Sequence, residues 1–135
     1  MKKIVYNPST LAPPVGHFDR AVRLGDHLLI SGTSALTNVS GLIEERRMLA
    51  GIDAQTHETL DNIERVLESA GAKVSQIYEL RIVLRERRNF SLVNAILSQR
   101  FPSKGFICHA YEGVLLNPEM EIEIEAKAFF GESDA

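Results

Sequence analysis

Toward its end the chain reads Met120-Glu121-Ile122-Glu123-Ile124-Glu125-Ala126, three carboxylates alternating with apolar side chains. A period of two belongs to the extended strand, so Ile122, Ile124 and Ala126 share one face while the glutamates share the other. A strand with one apolar face needs neighbouring strands for its backbone and a second layer for that face.

The same alternation occurs upstream. From Gln76 onward, Tyr78, Leu80, Ile82 and Leu84 fall on one side, with Glu79, Arg81, Val83 and Arg85 on the other. Lys3 to Tyr6 reads as a short first strand, followed by a surface loop from Pro8 to Pro14. Arg20 to Leu24 and His27 to Ser31 are β-compatible runs on either side of Gly25-Asp26, the composition of a tight hairpin. Phe106 to Leu115 and Met120 to Phe130 close the chain as two strands joined through Leu116-Asn117-Pro118-Glu119.

Two segments carry helical spacing instead. Asp53 is placed to cap a first helix in which Leu60, Ile63, Leu67 and Ala70 recur on one face, and Gly71 stops it. A second runs from about Ser91 to Phe101, turning Leu92, Val93, Ile96 and Leu97 inward, and ends at Pro102 and Gly105. Thr37 to Gly51 shows neither period and is expected to be mostly loop. The expected architecture is therefore α+β: a two-layer sandwich whose mixed sheet of about six strands carries both helices on one face. The other sheet face holds Val83, Phe129 and Phe106 or Ile107 among its charges, too apolar for a freely solvated surface, and predicts an oligomer.

A chain of 135 residues is the size of one domain, taken as residues 1–135, and its 44% hydrophobic and 24% charged residues describe an ordinary globular protein. No apolar run approaches the roughly 20 residues of a membrane span. The opening Met1-Lys2-Lys3-Ile4-Val5-Tyr6 meets polar residues too soon for a signal peptide, so a cytoplasmic location is expected. Cys108 is the only cysteine, which leaves no intramolecular disulfide and no structural zinc site. A formal net charge of -3 provides no general attraction to nucleic acid, and no motif calls for a cofactor.

Several segments together resemble the RidA/YjgF family of small imine deaminases. They are Gly25-Asp26-His27-Leu28-Leu29-Ile30-Ser31-Gly32-Thr33, Asp53-Ala54-Gln55-Thr56, and Phe106-Ile107-Cys108-His109-Ala110-Tyr111-Glu112 leading through Asn117-Pro118 into the closing strand. Gly16-His17-Phe18 stands where the family has a Gly-Pro-Tyr type segment, and Asn89-Phe90 with Val93-Asn94 matches the start of its second helix. The likeness spans roughly Asn7 to Phe130. It implies a chorismate mutase-like homotrimer with pockets between neighbouring subunits and a small metabolite partner carrying a carboxylate or carbonyl.

Hydrolysis of a 2-imino acid requires a group that holds the carboxylate, a placed water and an acid/base to move protons as ammonia leaves. In the family an arginine at the start of the penultimate strand grips the carboxylate and a glutamate of the last strand positions water. Glu123 matches that glutamate; its plain alternative is one rung of a solvated ladder. Counting back without a gap puts Cys108 at the arginine's place, with His109 beside it. Neither a neutral thiol nor a neutral imidazole reproduces a guanidinium fork. A different register would give the role to Lys104, and the Arg85, Arg87 and Arg88 cluster could relocate the cation. Cys108 and His109 cannot form a thiolate-imidazole pair, because neighbours in a strand project to opposite faces.

The remaining pocket residues implied by the resemblance are Phe18, which replaces a tyrosine, Ser31, Gly32, Arg88, Phe90 and Ala110. Three functions remain open: a RidA-like hydrolase acting on a small imine, enamine or related metabolite; a non-catalytic metabolite-binding trimer, favoured by the missing arginine; and an endoribonuclease. The negative charge and lack of a basic-aromatic stripe rank RNA cleavage last.

Overall fold

The structure is a computed structural model that describes residues 2–37 and 42–131. Six strands form one sheet in the order β1-β2-β3-β6-β4-β5, where β1 is Lys3–Tyr6, β2 Ala21–Leu24, β3 His27–Thr33, β4 Ile77–Leu84, β5 Ile107–Glu112 and β6 Ile122–Phe129. Every pairing is antiparallel except β4 with β5, so the sheet is mixed. Helices α1 (Ile52–Ala70) and α2 (Phe90–Arg100) cover one face. The expected two-layer architecture is what the chain adopts.

The alternation works as read on β6. Ile122, Ile124, Ala126 and Ala128 are buried against Leu60, Ile63, Val66 and Leu67 of α1 and Val93 and Leu97 of α2. On β4, Leu80, Ile82 and Leu84 are buried beside them, but Tyr78 is not; Ile77 takes the core position instead. The cause is a register shift against β6 between Ile77 and Glu79, which inserts one residue and sends Tyr78 outward. There its hydroxyl lies 3.0 Å from His27 Nδ1, and the His27 ring packs on Phe129 with centroids 5.2 Å apart.

Three further expectations are corrected. Gly51, not Asp53, precedes α1, at φ 94°, a conformation that disfavours any side chain; Asp53 lies in the first turn and pairs with His57 at 3.6 Å. Leu92 of α2 is exposed, while Val93, Ile96 and Leu97 face inward. The penultimate strand stops at Glu112, well short of Leu115. Gly71 ends α1 as expected, at φ 76°, where the amides of Gly71 and Ala72 recover the last carbonyls of the helix. In the Thr37 to Gly51 stretch a short helical turn covers Ile43–Glu45 and Leu36 bridges Met48; Asn38, Ser40 and Gly41 lie outside the described residues.

The face away from the helices is mixed. Edge strand β5 is exposed along its whole length, with Ile107 67% and Tyr111 47% accessible, and Phe129 of β6 is 41% accessible. Phe106 turns the other way and packs against Phe101 at the edge of the core.

Candidate active site on the outer sheet face

Glu123 sits opposite Val83 on β4 and points away from the helices. Its carboxylate presses against Gly32 of β3: a Cβ built on Gly32 would stand 2.7 Å from Glu123 Oε1 and 2.9 Å from its Cδ. This proximity comes from a second bulge. Ile30 pairs with Ala126 but Thr33 pairs with Ile124, so Ser31 and Gly32 form an irregularity in β3 beside the glutamate ladder. Only a residue without a side chain leaves room there. Burial pushes the Glu123 carboxyl above the usual carboxylate range, and the neighbouring charge of Glu125 pushes it the same way. No described residue donates a hydrogen bond to that carboxylate or pairs with it.

The rest of this face is matched charge. Arg81 Nε lies 3.5 Å from Glu125, and Lys127 Nζ lies 3.0 Å from Glu79. Val22, Leu24, Leu29, Ser31, Arg81, Glu125 and Lys127 line a shallow depression of about 530 Å³ beside the bulge. Ser31 donates its hydroxyl to the Asp19 carbonyl at 2.7 Å, and its amide bonds the Arg20 carbonyl. The serine thereby ties the loop carrying Phe18 to the bulge, and one face of its oxygen remains for a ligand. Phe18 itself is half exposed, with its ring stacked over Gly16.

Within one chain the expected pocket residues divide between the two sides of the sheet. His109 is exposed on the outer side, with its ring at an edge to Tyr111, centroids 5.5 Å apart. Cys108 pairs in register with the buried Leu80 and turns toward the helix layer, so the two neighbours project to opposite faces as expected. On that side Cys108, Phe90, Asn94, Leu97, Phe101 and Lys104 line a separate cavity of about 250 Å³. Burial holds the Cys108 thiol above its usual value, which keeps it neutral at pH 7. Ala110 pairs with Ile82 on the exposed edge strand.

The arginine cluster divides as well. Arg88 pairs with Glu86 at 2.7 Å in solvent. Arg85 bonds the carbonyls of Met120 and Asn117, each at 2.7 Å, which is a structural task. The Arg87 side chain is exposed, and its amide bonds Glu112.

Sequence reasoning missed the supports behind Glu123. Asn117 is fully buried and donates to the carbonyls of Ile43 and Arg46, while its own oxygen accepts the Glu119 amide. Gln55 of α1 donates to Leu49 and Glu119 and accepts from the Glu121 amide. Together with Arg85 these side chains lock the chain where it enters β6, two residues before Glu123. A polar residue beside proline and a glutamine on a helix face are the only traces of this in the sequence. Among the described residues no group of three or more His, Cys, Asp or Glu side chains could hold a metal ion, and no helix is long and apolar enough to cross a membrane.

Comparison with known proteins agrees with this fold. The profile of the family described as "Endoribonuclease L-PSP" matches residues 9–130. A RutC family protein of Pyrococcus horikoshii is 28% identical over 130 residues, covering 96% of this chain and 98% of the relative. A 2-iminobutanoate/2-iminopropanoate deaminase of Escherichia coli K12 is 27% identical over 121 residues, covering 84% and 88%. Among solved structures, a protein of unknown function of the Rid family from Yersinia pestis superposes with a TM-score of 0.81 at 26% identity, over 95% of this chain and 99% of that one.

Proposed function

Because the chain belongs to the RidA/YjgF family, the one described as Endoribonuclease L-PSP, we propose that it hydrolyses a small imine or enamine metabolite, with Glu123 placing the attacking water. The observation that carries this reading is the Glu123 carboxylate itself: half-buried, without a partner among the described residues, raised in pKa and seated on the Gly32 bulge. Structural ladder glutamates are solvated or paired, as Glu125 and Glu79 are. A carboxylate raised above its usual range by partial burial and left unpaired is a stronger base than a solvated one. Water held by Glu123 attacks the imine carbon as the carboxylate takes its proton. The same carboxyl returns that proton to nitrogen, giving a carbinolamine, and then relays the carbinolamine's hydroxyl proton to nitrogen as the carbon–nitrogen bond breaks, ammonia leaves and the carbonyl forms.

The sheet face is open in one chain, and its apolar residues Ile107, Tyr111 and Phe129 call for cover. In this proposal the protein is a cytoplasmic homotrimer, and a neighbouring copy closes the depression beside Ser31 into a pocket. A second reading, a trimer that binds a metabolite without turnover, is favoured by one observation: the position expected to grip a carboxylate is occupied by the neutral Cys108, turned to the helix side. RNA cleavage is disfavoured, because each cation on the outward positions of β4 and β6 is already matched by a glutamate.

Glu123→Gln keeps the shape and removes the base. It is expected to leave fold and assembly intact and to lower turnover of an imine substrate by about 10²–10⁴-fold. Unchanged kinetics would end the general-base role and return Glu123 to a surface ladder.

A further inference from the structure

We infer that the chain carries a second small-molecule site, on the helix side of the sheet at the end of α2, which takes a compact aromatic carboxylate. This goes beyond the hydrolase reading and does not depend on it. A recess of about 250 Å³ lies between the end of α2, the turn Val74–Gln76 before β4 and the connection from α2 into β5. Ile77 begins β4 at this recess, whereas Glu123 pairs with Val83 near the other end of the strand and on the opposite face. About 20 Å of strand separates the two places.

The connection shapes the recess. Pro102 does not continue α2, and Gly105 takes φ 127°, which only glycine adopts readily. The chain thereby turns Phe106 back toward α2, where its ring packs on Phe101 with centroids 5.0 Å apart at 49°. Val74 and Ile77 supply the remaining apolar wall. Such a tilted ring pair offers faces and edges to a third ring. An apolar cavity of about 150 Å³ accepts benzene, so this volume suits one ring with a substituent of about three or four non-hydrogen atoms.

The polar lining selects the charge of that substituent. Ser75, Ser103, Arg100 and Lys104 border the recess, two hydroxyls and two cations with no carboxylate among them. Arg100 is matched by Asp61 at 2.7 Å and Glu64 at 3.3 Å, and it also holds the His57 carbonyl. Lys104 makes no ion pair or hydrogen bond among the described residues. A ligand carboxylate at the rim therefore meets an unmatched ammonium and hydroxyl donors, whereas an amine there meets like charge. Lys104 is exposed, so the attraction is that of a solvent-screened pair, a preference of about 3–5-fold.

Phenylacetate, phenylacetamide and phenethylamine present one ring with an anionic, neutral or cationic end. Each is titrated into the protein and followed by the NMR shifts of its backbone amides. The expected result is saturable binding that moves the amides of Val74, Phe101 and Phe106, with phenylacetate about 3–5-fold tighter than phenylacetamide and phenethylamine weakest. Lys104→Met should remove the preference for phenylacetate and leave the affinity for phenylacetamide unchanged. Ser75→Trp, at an exposed position that borders this recess and not the cavity beside Cys108, should fill it and abolish binding of all three with Tm unchanged. Equal affinity for phenylacetate and phenylacetamide, or a preference that persists in Lys104→Met, would overturn the inference. So would binding that survives Ser75→Trp, which would place the ligand elsewhere, or the absence of saturable shifts with every probe.

Discussion

Gly32→Ala separates catalytic geometry from stability at a single position. The added methyl would stand 2.7 Å from Glu123 Oε1, where ordinary contact begins at 3.4 Å, so the carboxylate end must retreat by about 0.7 Å. The clashing atoms are the tip of a flexible side chain, not backbone, and Gly32 has no positive φ that a side chain would strain. The fold should therefore yield at little cost, under the about 1–3 kcal/mol typical of overpacking in a rigid core. For a domain this size that is a loss in Tm of no more than about 5 °C.

Catalysis has no such tolerance. A displacement approaching 1 Å at the attacking water lowers rate by roughly 10²-fold. The assay is steady-state imine hydrolysis of the variant beside thermal unfolding, with a second readout that needs no substrate: NMR titration of the Glu123 side-chain carboxyl. Pushed out toward water, that carboxyl should titrate lower than in the parent, since burial is the leading cause of its raised value. In a Glu123→Gln background, Gly32→Ala should cause no further loss of rate, because the two changes act on one group. A Gly32→Ala protein with parental kinetics and an unmoved Glu123 titration would refute the cradle.

Three other outcomes follow. Glu123 has a folded pKa above its unfolded one, so the folded state binds more protons between the two values and stability falls as pH rises through that window; Glu123→Gln should be more stable than the parent at pH 7, with the difference closing in urea unfolding below pH 4. Asn117→Ala removes two donated bonds and one accepted bond at a fully buried site, and should lower stability by about 2–4 kcal/mol, read as a Tm drop of roughly 10 °C; a drop under about 2 °C would show that the lock at the start of β6 is not needed. Light scattering at micromolar concentration should return three times the chain mass, and a monomer mass would remove the inter-subunit pocket.

Much of the fold was legible because alternation and helical spacing are local. Ile122 to Ala126 and Leu80 to Leu84 declare their faces without reference to any partner, and Gly71 declares its stop. The errors fall where a partner decides. Tyr78 continues the apolar alternation in sequence, yet the extra residue in β4 turns it out, and that residue exists only relative to β6. Leu92 and Val93 are equally apolar neighbours, and only the docking of α2 on the core decides that Val93 is the one buried. The site follows the same rule. Glu123 could be named from its motif, but what distinguishes it from Glu125 on the same face is tertiary: Arg81 reaches one and not the other, and the Ser31-Gly32 irregularity brings a bare backbone against Glu123 alone. Three glutamates at the same period in sequence thus receive different chemistry from the strands beside them. A carboxylate becomes a candidate base when the partner that would have neutralised it is given to its neighbour.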